Sequence, residues 1–160
     1  MISRSGRSVE VVNLLAKVRS SCATIIAITN SEDGPLAREA QIPIVVPIEM
    51  DHAISVNTYS TLAATAGILA SAVVGSWDAK LAMLVSRAVE DSASVIADWQ
   101  AQIADSRWLA PGAVYYFLAR GSSLGSCHEA RLLWEKGVKS PAAAMGTASF
   151  RHGPPGDDWP

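Results

Sequence analysis

An α/β fold built on a parallel sheet is what this sequence predicts, and three observations carry that expectation. Helix-like and strand-like stretches alternate through the N-terminal part of the chain, with short connections. The strand-like stretches, residues 23–29 and 42–46, are short continuous apolar runs rich in β-branched residues, as strands buried on both faces read. A further run at residues 113–119 leads into a serine- and glycine-rich turn and another helical stretch, so the pattern starts again. Alternation of this kind implies a three-layer α-β-α sandwich, its parallel sheet covered by helices on both faces.

Each element has a local reason. Ser8 is placed to cap a helix carrying Val11, Val12, Leu14, Leu15 and Val18. Ser20 and Ser21 break that pattern ahead of the first strand. Residues 30–34 form a polar turn, and Pro35 opens a short helix running to Ala40. Pro47 stops the second strand. Residues 55–74 read as one long apolar helix, buried from Leu62 onward. Residues 77–99 read as an amphipathic helix with Leu81, Leu84, Val85, Ala88, Val89, Val95 and Ile96 on its apolar face. Two long helices in succession break the alternation and put a boundary near Gly75. The expected organisation is therefore a first domain segment at 1–75, a connecting helix and linker at 76–112, and a second domain segment at 113–160. The linker is read at 101–112, ending in Pro111-Gly112. A helix follows over 124–136, and 140–145 reads as one more short strand. The tail from Gly153 to Pro160 is rich in breakers.

Composition narrows the function. The chain has 160 residues, room for one core but not for two complete open-sheet units. Apolar residues make up 49%, a globular value, and charged residues 18%, which is low. A net charge of −2 leaves no basic footprint for nucleic acid. No apolar run has the roughly 18 residues of a membrane span, and the first residues lack the apolar core of a secretory leader. Cys22 and Cys127 are far apart and without metal spacing; they are expected as buried thiols in a cytoplasmic protein. Asp51-His52 has no partner pattern for a metal.

Three places carry groups suited to chemistry. Ser3-Arg4-Ser5-Gly6-Arg7-Ser8 sets hydroxyls, a glycine and two arginines before a helix start. Free amides and the positive end of the helix dipole favour a phosphate there. The same residues also read as a tail with a capping serine. The loop 120–125, with Ser122 and Ser123, also precedes a helix and suits an anion or sugar hydroxyls. His128, Glu129 and Glu135 share one helix, and His152 follows in Phe150-Arg151-His152-Gly153-Pro154. Glutamate and histidine suit the proton transfers and ring opening of aldose–ketose isomerisation; a solvated helix face and a turn residue are the plain alternatives.

Taken together these motifs resemble the SIS (sugar isomerase) domain family. Ser3-Arg4-Ser5-Gly6-Arg7-Ser8 is similar to its Ser-X-Ser-Gly-X-Ser/Thr phosphate loop. Ser55-Val56-Asn57-Thr58-Tyr59-Ser60 is similar to its Ser-X-Lys-X-Tyr/Phe-Thr stretch. Arg120-Gly121-Ser122 and Phe150-Arg151-His152-Gly153-Pro154 are similar to the opening and the His-Gly-Pro signature of a second SIS domain, as in the isomerase part of glucosamine-6-phosphate synthase and in tagatose-phosphate isomerase-like proteins.

The resemblance implies flavodoxin-like domains, both incomplete in this chain. It implies a sugar phosphate held by Ser3, Arg4, Ser5 and Ser8, with Ser55, Ser122 and Ser123 beside the sugar. It makes Glu129 an active-site carboxylate and His152 the ring-opening histidine, donated to the neighbouring subunit of a homodimer. It implies no cofactor and no metal. The family's first strand and its Gly-X-Gly-Thr-Ser loop would lie before Met1, and the remaining strands after Pro160, so the chain is expected to be a truncated form. Three positions depart from the family's pattern. Lys136 stands where synthase-like members carry the proton-transfer glutamate, with Glu135 beside it; Leu133 and Asn57 replace lysines. Isomerase or deglycase chemistry on an amino-sugar phosphate is therefore set against a phosphosugar-binding module without catalysis, or an inactive remnant.

Overall fold

A computed structural model of the chain describes residues 1–49, 54–106 and 112–153. It divides into two compact units, Met1–Trp77 and Asp78–Pro160.

The first unit opens with a short extended segment. Ile2 bridges Ile28 in parallel, and the Ser3 N–H donates to the Ile28 carbonyl at 3.0 Å. Helix α1 spans Val9–Val18. Its Val11, Leu15 and Val18 recur at four- and three-residue spacing, so they share one face. Leu15 is 1% exposed at the centre of the core, with Val11 and Val18 packed around it. Strand β1, Ile26–Thr29, is buried along nearly its whole length. Helix α2, Pro35–Glu39, starts at Pro35, whose fixed φ suits a first helical position, and buries Leu36 and Ala37. Strand β2, Ile42–Val45, pairs in parallel with β1, from Ile26 opposite Ile42 to Thr29 opposite Val45. Leu15, Ile25, Ala27 and Leu36 form the core cluster.

Helix α3 covers Val56–Val73. It was expected to be buried beyond Leu62, and it is not. Only Thr58 and Leu62 are buried, while Val73 is 72% exposed. The reason is length. At 1.5 Å per residue α3 runs about 27 Å, whereas the four residues of β1 run about 13 Å. One short strand covers only the first turns. Strand β2 also departs from expectation, because Ile42 and Val45 are exposed rather than buried. Cys22 is exposed in the bend after α1, not a buried thiol; Cys127 is half-buried, and both are free.

The second unit begins with α4, Ala79–Ala104. Asp78 caps it by accepting from the Leu81 N–H at 2.7 Å. The helix runs past Trp99, so it takes up the start of the expected linker; residues 107–111 lie outside the described residues. None of its residues is buried. Strand β3, Tyr115–Ala119, pairs in parallel with β4, Ala142–Gly146. Between them α5 spans Leu124–Gly137, preceded by a 3-10 turn at Gly121–Ser123. Side chains alternate along β3. Tyr115 and Phe117 face Trp134 of α5 at 4.2 and 6.2 Å, and Tyr116 meets Phe150 from the other side at 5.4 Å. Helix α6, Thr147–Arg151, ends the described fold and was not foreseen from sequence.

Candidate functional site

The loop from Ser3 to Ser8 sits where the first extended segment ends and α1 begins. Two bonds to the Arg4 carbonyl fix it to the end of β1. The Arg4 carbonyl accepts from the Asn30 N–H and from the Thr29 hydroxyl, both at 3.0 Å. Thr29 is fully buried, and its Oγ1 in turn accepts from the Ser31 N–H at 3.2 Å. The Gly6 carbonyl accepts from the Leu36 N–H at 3.3 Å, which ties the loop to α2.

Two glycines make this packing feasible. Gly6 has φ +62°, a left-handed conformation that glycine adopts without steric cost. A Cβ on Gly6 would also lie 2.9 Å from the Leu36 Cβ. Gly34 has an ordinary backbone, but a Cβ there would lie 2.3 Å from the Ser5 carbonyl oxygen. The loop lies directly on Gly34.

The hydroxyls are set to donate. Ser3 Oγ accepts from the Gly6 N–H and Ser5 Oγ from the Arg7 N–H, each at 3.2 Å. A serine oxygen that accepts from its own loop keeps a proton for an outside acceptor. Ser3 Oγ and Ser8 Oγ are 3.4 Å apart. Ser8 occupies the N-cap position of α1, yet its side chain makes no cap bond, contrary to expectation. Its hydroxyl is turned toward Ser3, so it does not saturate the first-turn amides. Arg4 Nη1 donates to Ser55 Oγ at 3.0 Å, across to the N-cap of α3. Arg7 instead bonds the Asp33 carbonyl at 3.1 Å and leaves the cluster. Ser3, Arg4, Ser5, Ser8 and Ser55 are thus one cluster. Asn57 is exposed in the first turn of α3.

In the second unit Ser122 and Ser123 are exposed in the turn between β3 and α5. Gly121, at φ +55°, makes the turn possible. Arg120 Nε donates to Thr147 Oγ1 at 2.7 Å, linking the end of β3 to the start of α6. Glu129 and Glu135 are half-buried on α5. Six residues turn a helix by about 240°, so the two carboxylates leave it on different faces. Seven residues bring it back to within about 20°, so Lys136 shares the face of Glu129. His152 is exposed at the C-terminal end of α6, where Gly153 at φ +85° stops the helix. Pro154, Asp51 and His52 lie outside the described residues.

Both loops follow the carboxyl end of a parallel strand and precede a helix, the place where open α/β sheets bind ligands. Residues 1–74 match the SIS domain family model. Those residues are nearly the whole of the first unit. No curated protein matches the chain. Two solved structures share its fold. One, from Silicibacter pomeroyi DSS-3 and described as a phosphosugar isomerase, is 24% identical over 96% of this chain, with a TM-score of 0.77. The other, a glucosamine-6-phosphate deaminase from Thermotoga maritima, is 23% identical over 96% of the chain, with a TM-score of 0.78. The chain spans 46% of the length of either. The α/β class with parallel sheets read from the sequence is the fold that these likenesses show.

Within the first unit, sequence reasoning missed two residues that hold the loop, Thr29 and Gly34. The Thr29-Asn30 pair at the end of a buried strand was the available signal for the first. For Gly34 there was none beyond its place before Pro35.

Proposed function

We propose that the chain is a phosphosugar-binding protein, with the Ser3–Ser8 loop as its phosphate cradle and 113–160 as the front of a second SIS domain. The observation that carries this reading is the donor geometry. Ser3 and Ser5 accept from loop amides and keep their own hydroxyl protons to donate, in the same loop as Arg4 and before an uncapped helix start. Phosphate oxygens accept only, and they match such a donor set. The names of the two similar structures, a phosphosugar isomerase and an amino-sugar phosphate deaminase, point the same way. In this reading Ser55 contacts the sugar held by the first unit, Ser122 and Ser123 serve the corresponding loop of the second unit, and the ligand is a hexose or amino-hexose phosphate.

The test is a thermal-shift titration with a panel of hexose and amino-hexose 6-phosphates. A ligand that binds only the folded form raises the melting temperature with dose. Ser5→Ala is expected to weaken binding by about 1 kcal/mol, close to fivefold, through one lost hydrogen bond. Ser3→Ala with Ser8→Ala is expected to cost about twice that. Unchanged affinity in both variants would remove the loop from the site.

Chemistry is a separate question. The isomerase or deglycase reading assigns Glu129 and Glu135 to proton transfer and His152 to ring opening. Lys136 favours the second reading, binding without turnover, because it occupies the Glu129 face of α5 with a cation instead of a base. Lys136→Glu is expected to create or raise aldose–ketose exchange, followed by deuterium uptake at C2 of the sugar. No gain over the parent chain would count against the catalytic assignment of α5.

A further inference from the structure

Asp33 and Gly34 form the turn between β1 and α2, against which the Ser3–Ser8 loop rests. Asp33 is the only aspartate in the chain followed by glycine. An aspartate carboxyl and the next residue's amide nitrogen are spaced to close a five-membered ring. A side chain on that next residue ordinarily hinders the approach, and Gly34 has none. Three features of the fold favour the closure. The Asp33 side chain is 78% exposed, so water reaches it. The Gly34 N–H makes no hydrogen bond among the described residues, so its nitrogen is not committed elsewhere. The Asp33 carbonyl oxygen, which takes up charge as the Gly34 amide loses its proton, accepts from the Arg7 guanidinium at 3.1 Å. Comparable sites lack this freedom. The amides after Asp91 and Asp98 lie inside α4, and the Ser31 amide after Asn30 donates to Thr29 Oγ1.

We propose that Asp33-Gly34 is a self-modification site, at which aspartate converts to isoaspartate and releases the Ser3–Ser8 loop. The Gly34 nitrogen attacks Cγ of the protonated Asp33 carboxyl. The N–Cγ bond forms, the nitrogen gives its proton to water, and the Cγ–OH bond breaks with loss of one water. Water then opens the succinimide. Attack at the side-chain carbonyl restores aspartate; attack at the α-carbonyl leaves the chain running through the side chain. Mass and net charge return to their starting values. The main chain gains one carbon, about 1.5 Å, immediately before Gly34. Gly34 is packed so closely on the Ser5 carbonyl that it has no room for a Cβ, so the loop cannot keep its seat. Charge moves as well. The carboxylate paired with Arg38 at 3.2 Å becomes a peptide carbonyl, and a new α-carboxylate stands where Arg7 of the loop already donates. The isomerisation does not depend on what the loop binds; its effect on a sugar phosphate rests on that loop being the phosphate cradle.

The test is to hold the folded chain at physiological temperature in mildly acidic buffer and follow methyl transfer by protein L-isoaspartyl methyltransferase. The expected result is one methyl-accepting site that grows with time, mapped to the peptide holding Asp33, with unchanged mass and lost cleavage before Asp33 by an aspartate-directed protease. Asp33→Ser is expected to stay unmethylated there and to keep its stability, since it loses only an exposed ion pair. A folded chain that stays unmethylated at Asp33, while the same chain in urea becomes methylated, overturns the proposal. The isomerised fraction is expected to unfold at lower urea and to lose its thermal shift with glucosamine 6-phosphate, both restored by repair with the methyltransferase and its methyl donor. Isoaspartate at Asp33 with an unchanged urea midpoint overturns the release of the loop. A fresh chain that answers no sugar phosphate, yet isomerises and loses stability, would remove the binding reading and support this one.

Discussion

Gly34→Ala is expected to destabilise the first unit by about 2–3 kcal/mol and to abolish phosphosugar binding together with it. The added Cβ would sit 2.3 Å from the Ser5 carbonyl oxygen, a backbone atom that no rotamer change can move aside. The loop would have to rise from α2 by about 1 Å, because an ordinary contact of this kind needs more than 3 Å. That shift breaks the bond from the Leu36 N–H to the Gly6 carbonyl and misaims the Ser5 hydroxyl. Urea unfolding and the sugar-phosphate titration read the two losses separately. A variant with normal stability and normal affinity would show that the loop does not rest on Gly34.

Leu15→Ala is expected to cost about 3–5 kcal/mol, the upper part of the range for a buried leucine. Leu15 is 1% exposed and lies in a cluster with Ile25, Ala27 and Leu36. With so few buried apolar residues, a cavity at Leu15 removes a large share of the packing that holds α1 on the sheet. Whole-domain stabilities are of order 5–15 kcal/mol, so loss of a cooperative transition near room temperature is the expected extreme. Leu14→Ala, on the exposed side of the same helix, is the control and should change stability by under about 0.5 kcal/mol.

The parts of the fold legible in the sequence were those written locally. The β-branched run through Ile26–Thr29, Pro35 at a helix start and the hydroxyl-rich loop before α1 each carry their own physical reason over a few residues. What was not legible depends on partners distant in the chain. Gly34 reads as a turn glycine, and only the folded structure shows Ser5 resting against it. The sequence marked α3 as apolar along its length and gave α4 an apolar face, but it could not say what covers them. The exposure of Ile42, Val45 and Val73 is the same lesson: an apolar face is a demand for burial, not proof of it. At the site, the hydroxyls were recognisable. The turning of Ser8 toward Ser3, away from the helix it precedes, was not, because a serine at an N-cap position usually caps.

The segment that carries the Ser3–Ser8 loop also lies along one edge of its sheet, beside β1. Residues 1–4 are held to β1 mainly by the Ser3, Ile28 and Asn30 amides, and strands so lightly attached open and close without global unfolding. A ligand gripped by Ser3 to Ser8 would therefore act as a clasp. Each bond from that loop to a phosphate closes the sheet edge as well, so occupancy would be written into the hydrogen-exchange rates of amides far from the sugar itself.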